Sequence, residues 1–99
     1  MTELDTVIHA PARLRVVSTL AALRAGEEIT FAKLQKLLDM TAGNLSTHLR
    51  KLEDAGYVRQ TKEFAGRRPV TYLALTTDGR RAFEDYTTTL QDLLRGAGS

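Results

Sequence analysis

The sequence predicts a mainly helical α+β domain, and three observations predict it. Two short amphipathic stretches, 31–38 and 45–52, are separated by a break at Asp39-Met40. At Tyr57 the period changes, and two runs rich in β-branched and aromatic residues follow, 57–64 and 70–75. After Thr76 a helical pattern resumes and carries apolar side chains as far as Leu94. The 99 residues suit one domain with one core, since domains usually run to about 100–150 residues.

Each element has its own signature. The first helix opens at Pro11, whose ring fits the first helical position, and is stopped at Gly26. Its apolar residues Leu14, Val16, Val17, Leu20, Ala21 and Leu23 spread over about half the circumference, wider than the roughly 100° stripe of a helix packed on one side. That helix therefore touches its own core and something else, with Leu4, Val7 and Ile8 as a short helical lead-in. Glu28-Ile29-Thr30 is a brief extended piece, and Thr30 caps a second helix bearing Phe31, Leu34, Leu37 and Leu38. Thr41 caps a third helix, 41–55, with Leu45, Leu49 and Leu52 on one stripe and Gly56 at its left-handed end. The strand runs 57–64 and 70–75 flank Ala65-Gly66-Arg67-Arg68-Pro69, a turn with a basic tip. Thr76 or Thr77 caps the last helix, where Phe83, Tyr86, Leu90, Leu93 and Leu94 form a helix–helix seam. The order is a winged helix-turn-helix: a three-helix core, a β-hairpin wing over 64–69 and a C-terminal dimerisation helix. It occupies 1–95, with 96–99 as a flexible tail.

Composition removes several classes of chemistry. The chain has no cysteine, which excludes disulfides, thiolate nucleophiles and cysteine-ligated metal. His9 and His48 are the two histidines and stand far apart, so no metal site or cofactor is expected. Ser46 and His48 point in nearly opposite directions on a helix and cannot pair as nucleophile and base. The carboxylates Asp78, Glu84, Asp85 and Asp92 are scattered around the last helix. No glycine-rich phosphate cradle is present, so no enzyme is expected. There is neither a signal-peptide pattern nor a membrane-spanning run, which points to the cytoplasm.

Charge is distributed unevenly. Residues 41–81 hold eight basic side chains against four acidic ones, while the chain as a whole is only +2. A basic centre favours a polyanionic partner. On the third helix, Leu45, Leu49 and Leu52 face inward, Gly43, Thr47, Arg50 and Asp54 lie on the opposite face, and Asn44, Ser46 and Lys51 flank it. A helix of this kind fits the major groove of duplex DNA, where its N-terminal residues reach base edges. Gly43 lets backbone N–H groups approach a phosphate. The wing adds Arg67 and Arg68 at its tip, with Lys62 and Arg59 on the incoming strand, suited to phosphates or a narrow minor groove. His48 sits at the edge of the buried stripe, where it is expected to make one local hydrogen bond, the alternative being a phosphate contact in its charged form. Arg80 and Arg81, near the positive end of the last helix, weakly favour an anionic partner.

The stretch 31–58, FAKLQKLLDMTAGNLSTHLRKLEDAGYV, resembles the helix-turn-helix of MarR- and ArsR-type winged-helix transcriptional regulators. Leu75-Thr76-Thr77-Asp78-Gly79-Arg80 matches the Leu-Thr-x-x-Gly that closes the wing in MarR-like proteins. The compact form, with VIHAPARL at 7–14, is most similar to the small single-domain winged-helix DNA-binding proteins. The resemblance implies base and phosphate contacts from Thr41, Asn44, Ser46, Thr47 and Arg50, and wing contacts from Arg67 and Arg68. It also implies a homodimer formed by the first and last helices, for which Leu4, Val7, Ile8, Val16, Leu20, Leu23, Phe83, Tyr86, Leu90, Leu93 and Leu94 are the candidate interface. The chain departs from ArsR metal sensors in having no cysteine–histidine cluster. It departs from MarR proteins in its shortness and in carrying Gly66-Arg67-Arg68 where Asp-x-Arg is common. The expected function is a homodimeric transcriptional regulator reading a pseudo-palindromic double-stranded site. The competing readings are a protein-interaction module without sequence-specific DNA binding, and a regulator holding a small effector near Tyr86, Phe83 and Val17.

Overall fold

The structure, a computed structural model, describes residues 3–97. Its elements are α1 (Pro11–Ala21), β1 (Ile29–Thr30), α2 (Phe31–Leu38), α3 (Ala42–Asp54), β2 (Val58–Ala65), β3 (Arg68–Leu75) and α4 (Thr77–Ala97). The strands form one antiparallel sheet in the order β1-β3-β2. Four helices and a three-stranded sheet make a mainly helical winged-helix fold, as the sequence predicts.

Local signals set the helix starts. The Thr30 hydroxyl oxygen accepts from the Lys33 amide at 3.2 Å, and that of Thr41 accepts from the Asn44 amide at 3.1 Å. Between them the chain turns through Asp39, held in the left-handed region at φ 53° and ψ 49°. Its N–H reaches back to the last carbonyls of α2, and a short polar side chain tolerates this backbone better than a branched one. Gly56, at φ 82°, ends the α3 segment in the same manner.

Several boundaries differ from expectation. The 4–8 lead-in is a single turn, not a helix: the Asp5 carboxylate caps the amides of Val7 (2.8 Å) and Ile8 (3.2 Å) and His9 N–H closes on the Asp5 carbonyl at 2.7 Å, but Ala10 is extended at φ −145°, which stops the turn from propagating. α1 ends at Ala21 rather than near Gly26, because Arg24 and Glu27 close a turn of their own through Arg24 N–H to Glu27 Oε1 at 2.8 Å. β3 begins two residues earlier than predicted and β2 is shifted on by one, so the turn is only Gly66-Arg67, with Ala65 opposite Arg68 and Phe64 opposite Pro69. In such a register Phe64 and Pro69 are a non-hydrogen-bonded pair, so the proline's missing N–H leaves no gap toward β2. α4 continues through Gly96 and Ala97, which the sequence assigns to a tail. Residues 98–99 of that expected tail lie outside the described residues.

The core is contiguous. Ile8, Val16, Val17, Leu20, Leu34, Leu45, Leu49, Leu52 and Leu73 are fully buried, with Tyr86 nearly so. Leu37, predicted on the inward stripe of α2, is 59% exposed, because a helix of two turns packed on Leu34 and Leu38 has only that side covered.

Arginines lock the helix ends. Arg15 donates to the Leu38 carbonyl at 2.7 Å, and Arg13 donates to the Val7 carbonyl at 2.6 Å. Arg80 donates to the Ala21 carbonyl at 3.2 Å, beside the Leu23 carbonyl. The expectation that Arg80 serves an anionic partner is therefore corrected: it satisfies orphan carbonyls at the end of α1.

One junction ties α4 to the sheet. Thr76 N–H donates to the Tyr57 carbonyl at 3.0 Å, and its hydroxyl donates to the Gly56 carbonyl at 2.6 Å while accepting from the Gly79 amide at 2.9 Å. Gly79 is needed for this approach, since a Cβ there would stand 2.1 Å from the Tyr57 carbonyl oxygen.

Candidate nucleic-acid interface

α3 carries most of the residues expected to meet a partner. Leu45, Leu49 and Leu52 are sealed in the core, so the rest of the helix is turned outward. Thr41, Gly43, Asn44, Ser46, Thr47, Arg50 and Lys51 are all exposed. Part of that chemistry is already engaged by the helix. The Thr41 oxygen caps the Asn44 amide, leaving its hydroxyl hydrogen to donate. The Thr47 hydroxyl donates to the Gly43 carbonyl at 3.0 Å, leaving an acceptor and a methyl group facing out. Asn44, Ser46 and Arg50 keep their full hydrogen-bonding capacity.

The sheet brings the wing alongside. Alternation along β2 puts Val58, Gln60, Lys62 and Phe64 on one face, and Val58 anchors that face to the core. Gln60, Lys62 and the cross-strand Thr71 then line a cleft of about 670 Å³ whose other wall is Ser46, Arg50 and Glu53 of α3, with Phe31 beneath. Among the described residues no carboxylate lies within 4.0 Å of Arg50, Lys51, Lys62, Arg67 or Arg68. These cations are thus available to a partner, unlike Arg13, Arg15 and Arg80.

The predicted site residues do not all converge. Ser46, Arg50 and Lys62 share the cleft. Lys51 lies on the other flank of α3, beside Thr6, Val7, Arg13 and Asp54. Arg67 occupies the wing turn, whereas Arg68 is the first residue of β3 and belongs to the sheet face opposite Lys62. Gln60, Thr71 and Phe31 line the cleft and were not among the expected contacts. Period-two spacing from Val58 would have found Gln60, but Thr71 needs the strand register. Lys33 and Lys36 are also exposed, on the outer face of α2.

His48 departs from its expectation. Its Nδ1 is buried and, among the described residues, has no hydrogen-bond partner. Burial first, then the charges of Arg13 and Lys51, push its pKa below the ordinary histidine value. A neutral imidazole at neutral pH is a poor phosphate ligand. His9, by contrast, pairs its Nδ1 with the Tyr86 hydroxyl at 2.9 Å.

The expected dimer residues divide into two sets. Ile8, Val16 and Leu20 are fully buried and Tyr86 nearly so. They have no surface for a second chain, because the Asp5 turn and α4 fold over them. Leu4, Val7, Leu23, Phe83 and Leu90 are half-buried at the margin of the core. Leu93 and Leu94 are 46% and 67% exposed on the last turns of α4. Of the residues named for an effector, Val17 is fully buried and the Tyr86 hydroxyl is paired with His9, while a cavity of about 360 Å³ lies between Tyr86, Ala82, Asp85 and Thr89 of α4 and Glu3, Asp5 and Tyr57. No helix among the described residues is long and apolar enough to cross a membrane.

Comparison with known proteins agrees with this geometry. The chain is 40% identical over 70 residues to an uncharacterized protein of Methanocaldococcus jannaschii, covering 71% of this chain and 76% of that one. It superposes on the transcriptional regulator homologue protein from Pyrococcus horikoshii OT3 with a TM-score of 0.81 and 31% identity, over 92% of this chain and 87% of that one. A protein described as a transcriptional regulator of the MarR family from Enterococcus faecalis V583 shares the fold, with a TM-score of 0.74 and 20% identity over 94% of this chain and 81% of that one. Residues 12–94 match the family model of the winged helix DNA-binding domain. The match covers most of the chain, and the chain belongs to that family: this is a winged helix DNA-binding domain of the transcriptional-regulator type.

Proposed function

We propose that the chain regulates transcription as a homodimer that reads a pseudo-palindromic site in double-stranded DNA. The observation that carries the reading is the division of α3 into a sealed Leu45/Leu49/Leu52 stripe and an exposed Asn44/Ser46/Thr47/Arg50 face. In the complex α3 enters the major groove, Arg50 addresses a guanine edge, and Asn44, Ser46 and Thr47 contact bases or phosphates. Thr41, Gly43 and Lys51 hold phosphates at the helix start and flank. Lys62, Arg67 and Arg68 of the wing hold the neighbouring backbone and minor groove. Leu93 and Leu94, exposed on a helix that runs past the core, support pairing of two α4 helices, with Leu90, Phe83 and the half-buried Leu4, Val7 and Leu23 around them. Two recognition helices related by a two-fold axis would meet the duplex about 34 Å apart.

In-vitro selection from random-sequence duplexes with the purified chain tests this reading. The expected outcome is one enriched motif with two inverted half-sites about one helical turn apart, bound by two chains. Recovery of no motif, with equal affinity for all duplexes, would contradict sequence-specific recognition.

A further inference from the structure

Phe64 is the most exposed large apolar side chain of the described residues, at 76%. It stands next to the Gly66-Arg67 turn, and its cross-strand partner is the exposed Pro69. Together the two side chains make a small apolar patch at the tip of an otherwise polar wing. Strand alternation puts Phe64 on the same face of β2 as Gln60 and Lys62, the two residues that line the cleft against α3. The apolar tip therefore continues the proposed contact surface outward rather than pointing away from it. Its flank is cationic, with Lys62 two residues before it on the same face and Arg67 in the adjacent turn, while Glu63 and Arg68 stand on the other face. No carboxylate among the described residues lies within 4.0 Å of Lys62 or Arg67.

We infer that Phe64, backed by Pro69, is an apolar wedge for the minor groove of duplex DNA. A ring flanked by cations fits a surface that is polyanionic at its rim and apolar at its floor, where sugar and base edges are exposed. Side chains of this type act between base steps, partly unstacking them and bending the helix toward the major groove, most easily at flexible pyrimidine–purine steps. The wedge rests on the DNA-binding reading above and adds to it a means of sensing deformability where α3 makes no base contact.

The test measures binding of wild type, Phe64→Ala, Phe64→Leu and Arg67→Ala to the selected duplex over a salt series, together with end-to-end energy transfer across the labelled duplex. Phe64→Ala should weaken binding about tenfold with an unchanged salt slope and reduced bending, since no charge is lost. Phe64→Leu should retain most of the affinity. Arg67→Ala should instead flatten the slope by about 0.9. Phe64 is exposed, so melting temperatures of the variants should match wild type. Wild-type binding that Phe64→Ala leaves unchanged in affinity and bend would overturn the wedge alone. Loss of self-association in Phe64→Ala would overturn it too, by making the ring a contact between copies. Failure of wild type to bind any duplex would overturn the reading on which the wedge rests.

Discussion

Replacing Gly79 by alanine separates two opposite expectations. In an ordinary helix the change is stabilising, by up to about 1 kcal/mol, because alanine has the better helix propensity. Here the added Cβ would lie 2.1 Å from the Tyr57 carbonyl oxygen and under 3 Å from the Tyr57 carbonyl carbon and Cα. All three are backbone atoms, so no side chain can rotate away. Ordinary contact requires roughly 3.5 Å, and α4 must retreat from the sheet by more than about 1 Å. That retreat strains the Thr76–Tyr57 and Thr76–Gly56 hydrogen bonds, each contributing about 1 kcal/mol. Overpacking costs about 1–3 kcal/mol, here toward the upper end. Offset by the propensity gain, the net loss is about 3 kcal/mol, or a fall in Tm of roughly 12–20 °C for a domain of this size. Thermal unfolding followed by circular dichroism at fixed protein concentration reads it directly. A Tm equal to or above wild type would refute the close approach and the junction built on it.

Three further outcomes follow from the same geometry. Arg50→Ala should cost about 1–3 kcal/mol of binding and relax preference at one base pair, whereas Arg67→Ala with Arg68→Ala should weaken all duplexes alike and flatten the salt slope by about 1.8; competition assays across salt concentrations distinguish them. The Tyr57 hydroxyl donates to Asp5 at 2.5 Å, and that bond, with burial and the Asp5 charge, raises the Tyr57 pKa from 10.0 to about 12. The folded chain thus holds this proton more tightly than the unfolded one, so the contribution is intact below pH 10 and is lost as pH rises from about 10 to about 12. Tyr57→Phe should remove that component of the alkaline decline and cost about 1–2 kcal/mol at neutral pH, checked by chemical denaturation at several pH values. Leu93→Lys with Leu94→Lys should yield a folded monomer with unchanged secondary structure, measured by sedimentation; a persisting dimer would move the interface away from the end of α4.

The features legible in the sequence are those set by neighbours in the chain. Thr30 and Thr41 announce their helices because a cap bonds three residues ahead, and Gly56 ends its segment because only the local backbone demands a positive φ. The exposed face of α3 follows from the period of Leu45, Leu49 and Leu52 alone. The features that local pattern does not reveal depend on distant partners. Arg80 reads as a free cation until α1 is found to end beside it, 59 residues away in sequence. Ile8 reads as part of a lead-in helix, yet the turn that the Asp5 carboxylate caps ends at the extended Ala10 and the Ile8 side chain enters the core. The period puts His48 at the edge of the stripe, but that its Nδ1 has no partner among the described residues is a property of packing rather than of pattern. The cleft beside α3 needed the β2–β3 register, since Thr71 belongs to it only by lying opposite Lys62.

The central claim is that duplex DNA covers the outward surface of α3. Amide chemical-shift mapping of the labelled chain on titration with its selected duplex tests that most directly. The largest shifts should fall on residues 41–51 and around the wing turn at 66–67, with Leu45, Leu49 and Leu52 changing only through their own amides and the end of α4 unmoved. Shifts confined to α4, or a spectrum indifferent to the duplex, would contradict the account.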